Sequence, residues 1–586
     1  MSPFLRAAAL LALAGCGAPS PTSAPAPPVP SSNEPRLPTQ PPGPDWFRDV
    51  TDGSGLHVTY RNDEEAKLYT ILETYGGGVA MIDYDGDGRT DVFVTGGGFF
   101  ERPAMERLKG HPCRLFRNLG NFKFEDVTDK VGLGAVNWWY THGAMVADYD
   151  RDGWPDLLVT GFGKVGLLRN EAGPNGRRFV DVTEKVGLKD ESWSTGAGWA
   201  DLDGDGYPDL YVCHYGDWSP KNNPPCHSPV DAAKRDCCPP PKFQPYQHAV
   251  FKNEKGERFR DATAEYGATL RGRGLGVVLA DLNADGRPDV YVANDMDFNF
   301  LYFNRGGKFE ERGTAAGVAA DERGRPEGSM GLDVADYDGT GRASVWVTNY
   351  QGELHALYRN MGRELFHHQT RTAGVASLGQ SYVGFGTSFL DIDNDGWEDI
   401  AVVNGHVLLH PVLGADVKQK PVLLRNTLHE GRRFFVIATE RGGPYFKRPE
   451  YGRGLAVGDL DDDGWQDIIV NHTNTPTTVL RNVAAESGPG RWVGFKLVGK
   501  GNRCVVGSTV SVDIGTRTLT RFTKGGGSYL SNPDPRQHFG LGPDGAVKKV
   551  TVRWSWGETQ TWEGVEPGAY WELREGEPSA KKMPKP

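Results

Sequence analysis

Seven short acidic loops, each set between two apolar strand-like runs, are the part of this chain best suited to chemistry. The first reads Asp83-Tyr84-Asp85-Gly86-Asp87-Gly88-Arg89-Thr90-Asp91, and the others begin at Asp148, Asp201, Asp281, Asp336, Asp391 and Asp459. A hard divalent cation such as Ca²⁺ takes six to eight oxygen ligands from a flexible loop. Carboxylates at loop positions 1, 3, 5 and 9, with a backbone carbonyl at position 7, supply that shell. The glycine at position 6 admits the left-handed backbone that folds the loop around an ion.

The expected ligands in the first loop are Asp83, Asp85, Asp87, Asp91 and the carbonyl of Arg89. In the second they are Asp148, Asp150, Asp152, Asp156 and Trp154, and in the third Asp201, Asp203, Asp205, Asp209 and Tyr207. The fourth offers Asp281, Asp285, Asp289 and Arg287, with Asn283 an amide oxygen in place of a carboxylate. The sixth offers Asp391, Asp393, Asp395, Asp399 and Trp397, and the seventh Asp459, Asp461, Asp463, Asp467 and Trp465. The fifth keeps only Asp336 and Asp338, because Thr340 and Ser344 replace the other two. About six structural Ca²⁺ ions are therefore expected. They would also explain the acidity: the ligand positions hold 25 carboxylates, and six divalent ions would carry the formal charge of −11 to +1. The charge thus implies no basic partner, and no basic tract points to nucleic acid.

The loop starts are 65, 53, 80, 55, 55 and 68 residues apart, a unit of roughly 55 residues plus insertions. A Gly-rich apolar strand precedes each loop (Gly77–Ile82, Gly454–Gly458) and an alternating strand follows it (Asp91–Thr95, Asp209–Val212). A third strand ends in a basic or aromatic residue and Asn, from Leu115–Asn118 to Val479–Asn482, and a fourth is headed by Phe, as at Phe124 and Phe179. Four short strands per unit separated by turns predict a propeller blade. The expected fold is all-β: a seven-bladed β-propeller over residues 46–488, followed by a small all-β C-terminal domain over 489–576. No Phe-headed strand follows Asn482, but one precedes the first loop at Phe47-Arg48-Asp49. The N-terminal segment is therefore expected to complete the last blade and close the ring.

Both ends of the chain read differently from the repeats. Arg6, the apolar run Ala7–Ala14 and Leu13-Ala14-Gly15-Cys16 resemble a bacterial lipoprotein signal over residues 1–16, with Cys16 becoming the lipidated first residue of the mature protein. Residues 17–45, rich in Ala, Pro and Ser, read as a tether. Together they predict export and anchoring to a bacterial cell envelope, with membrane contact through the lipid alone. Residues 577–586 read as a disordered tail. Export permits disulfides, and Cys213, Cys226, Cys237 and Cys238 in one Pro-rich insertion are the candidates, their connectivity open. A metal site of Cys226, His227, Cys237 and Cys238 is the alternative, but adjacent cysteines are not a usual zinc spacing. In the C-terminal domain, Arg536 and His538 either hold an anion, act as a catalytic pair, or brace a turn, the last being favoured.

The repeats resemble the FG-GAP/VCBS repeats of integrin-like propellers. Gly501-Asn502-Arg503, Gly525-Gly526-Gly527-Ser528-Tyr529-Leu530-Ser531, Asp534–Gly542 and Val550–Trp554 resemble the ASPIC/UnbV domain. Their order is similar to that of the cartilage acidic protein family. The resemblance implies a calcium-loaded extracytoplasmic binding or adhesion protein that contacts protein or glycan through propeller faces, insertion and C-terminal domain. The alternative is a hydrolase or lyase acting on polysaccharide in the central cavity, with Glu73, His142, Asp295 and Asn404-Gly405-His406 as candidates. No nucleophile elbow, zincin helix or phosphate-binding Gly loop appears, which favours binding over catalysis.

Overall fold

Each acidic loop joins the first two strands of an antiparallel sheet, and the computed structural model contains seven such sheets among the described residues, six of four strands and the fourth extended to six by Glu327–Gly328 and Gly525–Gly526. Those residues are 39–585, apart from Asn175, Ser377, Leu413, Gly414, Pro489 and Asp544. The first strands are Val79–Ile82, Tyr140–Ala147, Ser194–Ala200, Gly274–Ala280, Leu332–Ala335, Gly384–Leu390 and Gly452–Gly458. Each touches the first strand of the next sheet, and the last touches the first, so the sheets form a closed β-propeller. Glycines permit this crowding. A Cβ at Gly331 would lie 2.0 Å from the Phe385 carbonyl, and one at Gly454 would lie 2.2 Å from that of Gly77.

The ring closes through the N-terminus. Phe47–Asp49 pairs antiparallel with Thr478–Asn482 as the outer strand of the last sheet. Trp46 and Phe47 pack there against Tyr445 and Phe446. The last residues of the expected tether meet the neighbouring sixth sheet, where the Gln40 amide donates to the Ile437 carbonyl at 2.8 Å. Deleting Trp46–Leu56 should therefore abolish cooperative thermal unfolding; a deletion that melts like the parent chain would contradict closure by this strand.

A second ring of hydrogen bonds explains the Asn that ends every third strand. Each Nδ2 donates to the backbone carbonyl at position 2 of the preceding sheet's acidic loop. Asn170 reaches Tyr84 at 2.9 Å, Asn304 reaches Leu202 at 2.8 Å, and Asn118 of the first sheet reaches Leu460 of the last at 2.8 Å. All seven are buried. A buried amide matched in this way fixes the spacing of neighbouring sheets.

The C-terminal part is a sandwich of two four-stranded sheets. Arg491–Val498 lies between Gln537–Gly542 and, in parallel, Tyr570–Arg574. Thr509–Asp513 lies between Thr518–Phe522 and Lys549–Arg553. The expected disordered tail instead carries Lys581–Lys582, paired with Trp571 and Glu572, because the sheet edge there accepts another strand. Among the described residues the ring and the sandwich lie in one compact unit. The physical reason is residues 525–534. This loop leaves the sandwich and enters the ring, where it hydrogen-bonds the first strands. The Leu332 amide donates to Ser528 O (3.0 Å), Ala144 to Leu530 O (3.1 Å) and Met81 to Asn532 O (2.9 Å). Gly525–Gly526 pairs with Val278 and Leu279, Ser528 Oγ bonds the Leu455 carbonyl at 2.8 Å, and Thr387 N donates to Ser528 Oγ at 3.3 Å. A Cβ on Gly525 would lie 1.9 Å from the Trp199 carbonyl. The loop thus touches every sheet.

Candidate metal centres and the closed channel

Five of the seven acidic loops bring three carboxylates together, each offering an oxygen within 4.8 Å of the other two. The triads are Asp83/Asp85/Asp91, Asp148/Asp150/Asp156, Asp201/Asp203/Asp209, Asp391/Asp393/Asp399 and Asp459/Asp461/Asp467. The position 9 carboxylate is the fixed point of each. Asp91 Oδ1 accepts from Asn118 N at 2.7 Å and its Oδ2 from Tyr84 N at 3.2 Å, and Asp467 is held the same way by Asn482 and Leu460. The position 5 aspartates, Asp87, Asp152, Asp205, Asp395 and Asp463, stand outside the triads. Each accepts the position 7 amide, which curls the loop: Arg89 N to Asp87 at 2.9 Å, Trp397 N to Asp395 at 2.9 Å.

Burial raises these acids. Asp148 is pushed up to about 7 and Asp201 to about 6, while Asp91, Asp156, Asp209, Asp399 and Asp467 go well above the usual carboxylate range. Neighbouring aspartates add to the rise, because like charges oppose ionisation. Asp148 Oδ1, Asp393 Oδ1 and Asp461 Oδ1 are buried without a hydrogen-bond partner. An all-oxygen cluster with orphaned carboxylate oxygens fits a hard divalent cation. The basic residue before each Asn gives partial relief. Arg117 meets Asp85 at 2.7 Å, Arg169 meets Asp150 at 2.6 Å, Arg425 meets Asp393 at 2.6 Å and Arg481 meets Asp461 at 2.9 Å, and Lys252 pairs with Asp203.

The fourth and fifth loops differ. Phe303 replaces the basic residue in the fourth, and the Arg553 guanidinium of the sandwich reaches Asp281 at 2.5 Å instead. Asp285 turns to Arg287 and to the Asn283 amide (3.0 Å), and Asp289 is held by Asn304 N at 2.8 Å. In the fifth, Arg359 meets Asp338 at 2.5 Å, and Asp336 Oδ1 accepts the Thr340 amide at 2.7 Å. Among the described residues neither forms a three-carboxylate cluster like the other five.

All these loops face the sandwich, which meets them with matching groups. Tyr570 donates to Asp459 at 2.9 Å and Trp556 Nε1 to the Asp201 carbonyl at 2.8 Å, while Lys524 pairs at 2.5 Å with Asp333 in the strand before the fifth loop. Arg536 clamps Asp462 and Asp534, each at 2.6 Å, and His538 Nε2 lies 2.7 Å from Asn394 Oδ1. Arg536 and His538 therefore brace a junction between domains; they do not bond each other.

The catalytic candidates do not share one cavity. The channel is packed: Tyr529 and Leu530 from the loop 525–534 join Tyr75, Trp193, Trp218 and Phe243 in one apolar cluster, so the sandwich closes it from one side and the insertion from the other. His142 accepts from Trp193 Nε1 at 2.9 Å, and burial pushes it down to about 3, so it stays neutral. Asp295 accepts the hydroxyls of Tyr75 (2.7 Å) and Tyr215 (2.6 Å). Glu73 and His406 do line a common cleft. Asn404 Nδ2 donates to the Lys420 carbonyl at 2.8 Å and holds its loop. Of the candidate cysteines, Cys226 and Cys238 form a disulfide. Cys213 and Cys237 are free thiols, because Cys213 lies within a fully buried strand and Cys237 Sγ faces the Val407 carbonyl at 3.7 Å. The disulfide also removes two ligands from the alternative thiolate site. Cys16 lies outside the described residues.

Near the insertion, Glu327 stands beside Glu353, and burial together with that neighbour pushes it up to about 9. Its folded pKa lies above the unfolded value, so the fold keeps this proton while the unfolded chain loses it, and stability falls as pH rises from about 5 to 9. Glu327→Gln should flatten that dependence, gaining about 3 kcal/mol on the parent between pH 5.5 and 8. Urea unfolding in calcium-saturated buffer measures it; parallel pH profiles would contradict the assignment.

Family models agree with this architecture. Residues 83–159, 148–212 and 281–347 match the FG-GAP-like repeat, and residues 498–580 match ASPIC and UnbV. The chain is 26% identical to human cartilage acidic protein 1 over 313 residues, half of this chain and 43% of that protein, so the match spans under half of the relative's length. It is 23% identical to the Xenopus tropicalis protein of that name over 526 residues, 83% of this chain and 71% of the other. An Agrocybe aegerita lectin specific for non-reducing terminal N-acetylglucosamine aligns at TM-score 0.38 and 16% identity, covering 64% of this chain and 84% of that one. This chain is a β-propeller of FG-GAP-like repeats completed by a C-terminal ASPIC and UnbV domain, similar to cartilage acidic protein 1.

Proposed function

We propose that the chain is a calcium-stabilised, exported binding or adhesion protein that recognises protein or glycan from its outer surfaces. The closed channel carries this reading: residues 525–534 and the insertion fill the space in which a propeller enzyme would hold substrate. Calcium in the five triads would fasten the ring and offset the charge that the sandwich meets. The expected ligands are those of loops one, two, three, six and seven, with position 7 carbonyls and water completing the shell. Export fits the disulfide, and a lipid on Cys16 would tether the protein to the envelope. Among the described residues no helix is long and apolar enough to cross a membrane. The second reading, a polysaccharide hydrolase or lyase, rests on Glu73, pushed up to about 7 by burial and sharing a cleft with His406. A glycan array and a defined-ligand pull-down on residues 35–586 test the first reading, and release of reducing ends or unsaturated sugars from polysaccharide tests the second. Bound ligand without product supports binding; product without retained ligand overturns it.

A further inference from the structure

At the strand ends away from the metal loops, residues 62–74, the insertion and the loop after Asn404 surround a small cleft. Tyr69, Glu73, Asp236, His406, Tyr451 and Arg453 are among its lining. Glu73 is only 7% exposed. Its Oε2 accepts from Thr70 N at 2.6 Å and Thr70 Oγ1 at 2.9 Å, while Oε1 has no hydrogen-bond partner. A buried polar atom left unmatched costs about 1–3 kcal/mol, which a ligand donor would relieve.

Opposite in sign, Arg453 is 2% exposed and is held by the carbonyls of Thr74 (3.0 Å), Gly452 (2.9 Å), Gly405 (3.2 Å) and, at 3.5 Å, His406, with its guanidinium 4.0 Å from the Phe385 ring centroid. No carboxylate neutralises it. Asp236, from the insertion, accepts the amides of Leu409 (3.1 Å) and His410 (2.7 Å) and so keeps a negative group at the same cleft. Both signs therefore line the space without pairing. A cation drawn to Glu73 would meet Arg453 and Lys67, and an anion drawn to Arg453 would meet Glu73 and Asp236. A hydroxyl, which donates and accepts in the same place, conflicts with neither. Tyr69 and Tyr451 are half-buried here; Arg235 and Lys418 each lie 5.5 Å from one of these ring centroids, and the uncovered ring surface can meet an apolar edge. The segment that carries Tyr69 is strained, with Asp63, Lys67 and Tyr69 at φ of 64°, 53° and 56°. Non-glycine residues hold such angles only where the surroundings enforce them, and they gather at ligand clamps.

We propose that this cleft binds a neutral, hydroxyl-rich ring, the terminal sugar unit of a glycan, with Glu73 Oε1 accepting one of its hydroxyls. The inference rests on the binding reading above and gives it a site and a ligand class. The insertion supplies one wall, which accounts for an element that the repeat does not need.

Saturation-transfer NMR on the full chain, under non-reducing conditions with millimolar calcium, tests it. The probes are the methyl glycosides of glucose, galactose, mannose and N-acetylglucosamine, with ethylamine and acetate as charged probes. Transfer to at least one glycoside and to neither charged probe is expected, falling at least fivefold in Glu73→Ala and in Tyr451→Ala. Should Glu73→Ala fail to fold, the half-buried Tyr451→Ala alone decides. Silence from all four glycosides, transfer that survives Tyr451→Ala in a folded protein, or response only to ethylamine or acetate would overturn the proposal. Glycan-array binding that survives Tyr451→Ala would overturn this cleft while leaving the binding reading intact.

Discussion

Stripping divalent cations with EDTA should lower the midpoint of thermal unfolding by about 6 °C, and added calcium should restore it. An extracellular-type site has a dissociation constant of about 10⁻⁴ M, so 1 mM calcium adds about 1.4 kcal/mol per site. Five triads sum to about 7 kcal/mol, comparable with the whole stability of an ordinary domain. Spread over the 35–586 unit at about 2.1 cal/mol/K per residue, that gives the stated shift. Orphaned oxygens on Asp148, Asp393 and Asp461 are the reason to expect a loss rather than a neutral change. Magnesium should rescue poorly, because it demands near-octahedral geometry and releases water reluctantly. A melt indifferent to chelation would remove the metal assignment.

Tyr529→Ala should destabilise the whole unit by about 3–5 kcal/mol, the usual cost of emptying a fully buried aromatic site. Tyr529 belongs to the sandwich by sequence, yet it is 0% exposed inside the ring and lies edge-on to Phe385 with centroids 4.9 Å apart. Urea unfolding followed by tryptophan fluorescence should show one transition displaced to lower denaturant. The buried indoles Trp193 and Trp346 in the ring and Trp554 in the sandwich report both parts. If the sandwich unfolded first and the ring kept its parent midpoint, the loop 525–534 would be a bystander rather than a structural plug.

The local grammar of this fold is written in its sequence, and the long-range part is not. Loop spacing, the glycines before each loop and the missing Phe-headed strand after Asn482 foretold sheets, acidic turns and closure by Phe47–Asp49, because turn chemistry and register depend on neighbours in the chain. The same reading recorded the Asn at each third-strand end without a role; only the ring geometry, in which Asn118 finds Leu460, shows what it does. Its presence in all seven repeats, where the preceding residue varies between Arg, Lys and Phe, was the available signal. Gly525–Ser531 stood out as a family pattern, but its partners lie at least 73 residues away on seven strands. Counting carboxylates did not reveal that Arg553, supplied from the far end of the chain, meets Asp281 in the fourth loop. Of the four candidate cysteines Cys226 and Cys238 do pair, whereas Cys213 sits in a strand whose burial the insertion's composition does not reveal.

Calcium stoichiometry tests the central claim most directly. Equilibrium dialysis of the EDTA-treated and refilled chain, with metal counted by mass spectrometry, should give about five Ca²⁺ per molecule. Asp156→Ala should remove one, and Asp289→Ala in the fourth loop should remove none. One ion or fewer per molecule, or a count unchanged by Asp156→Ala, would contradict the account.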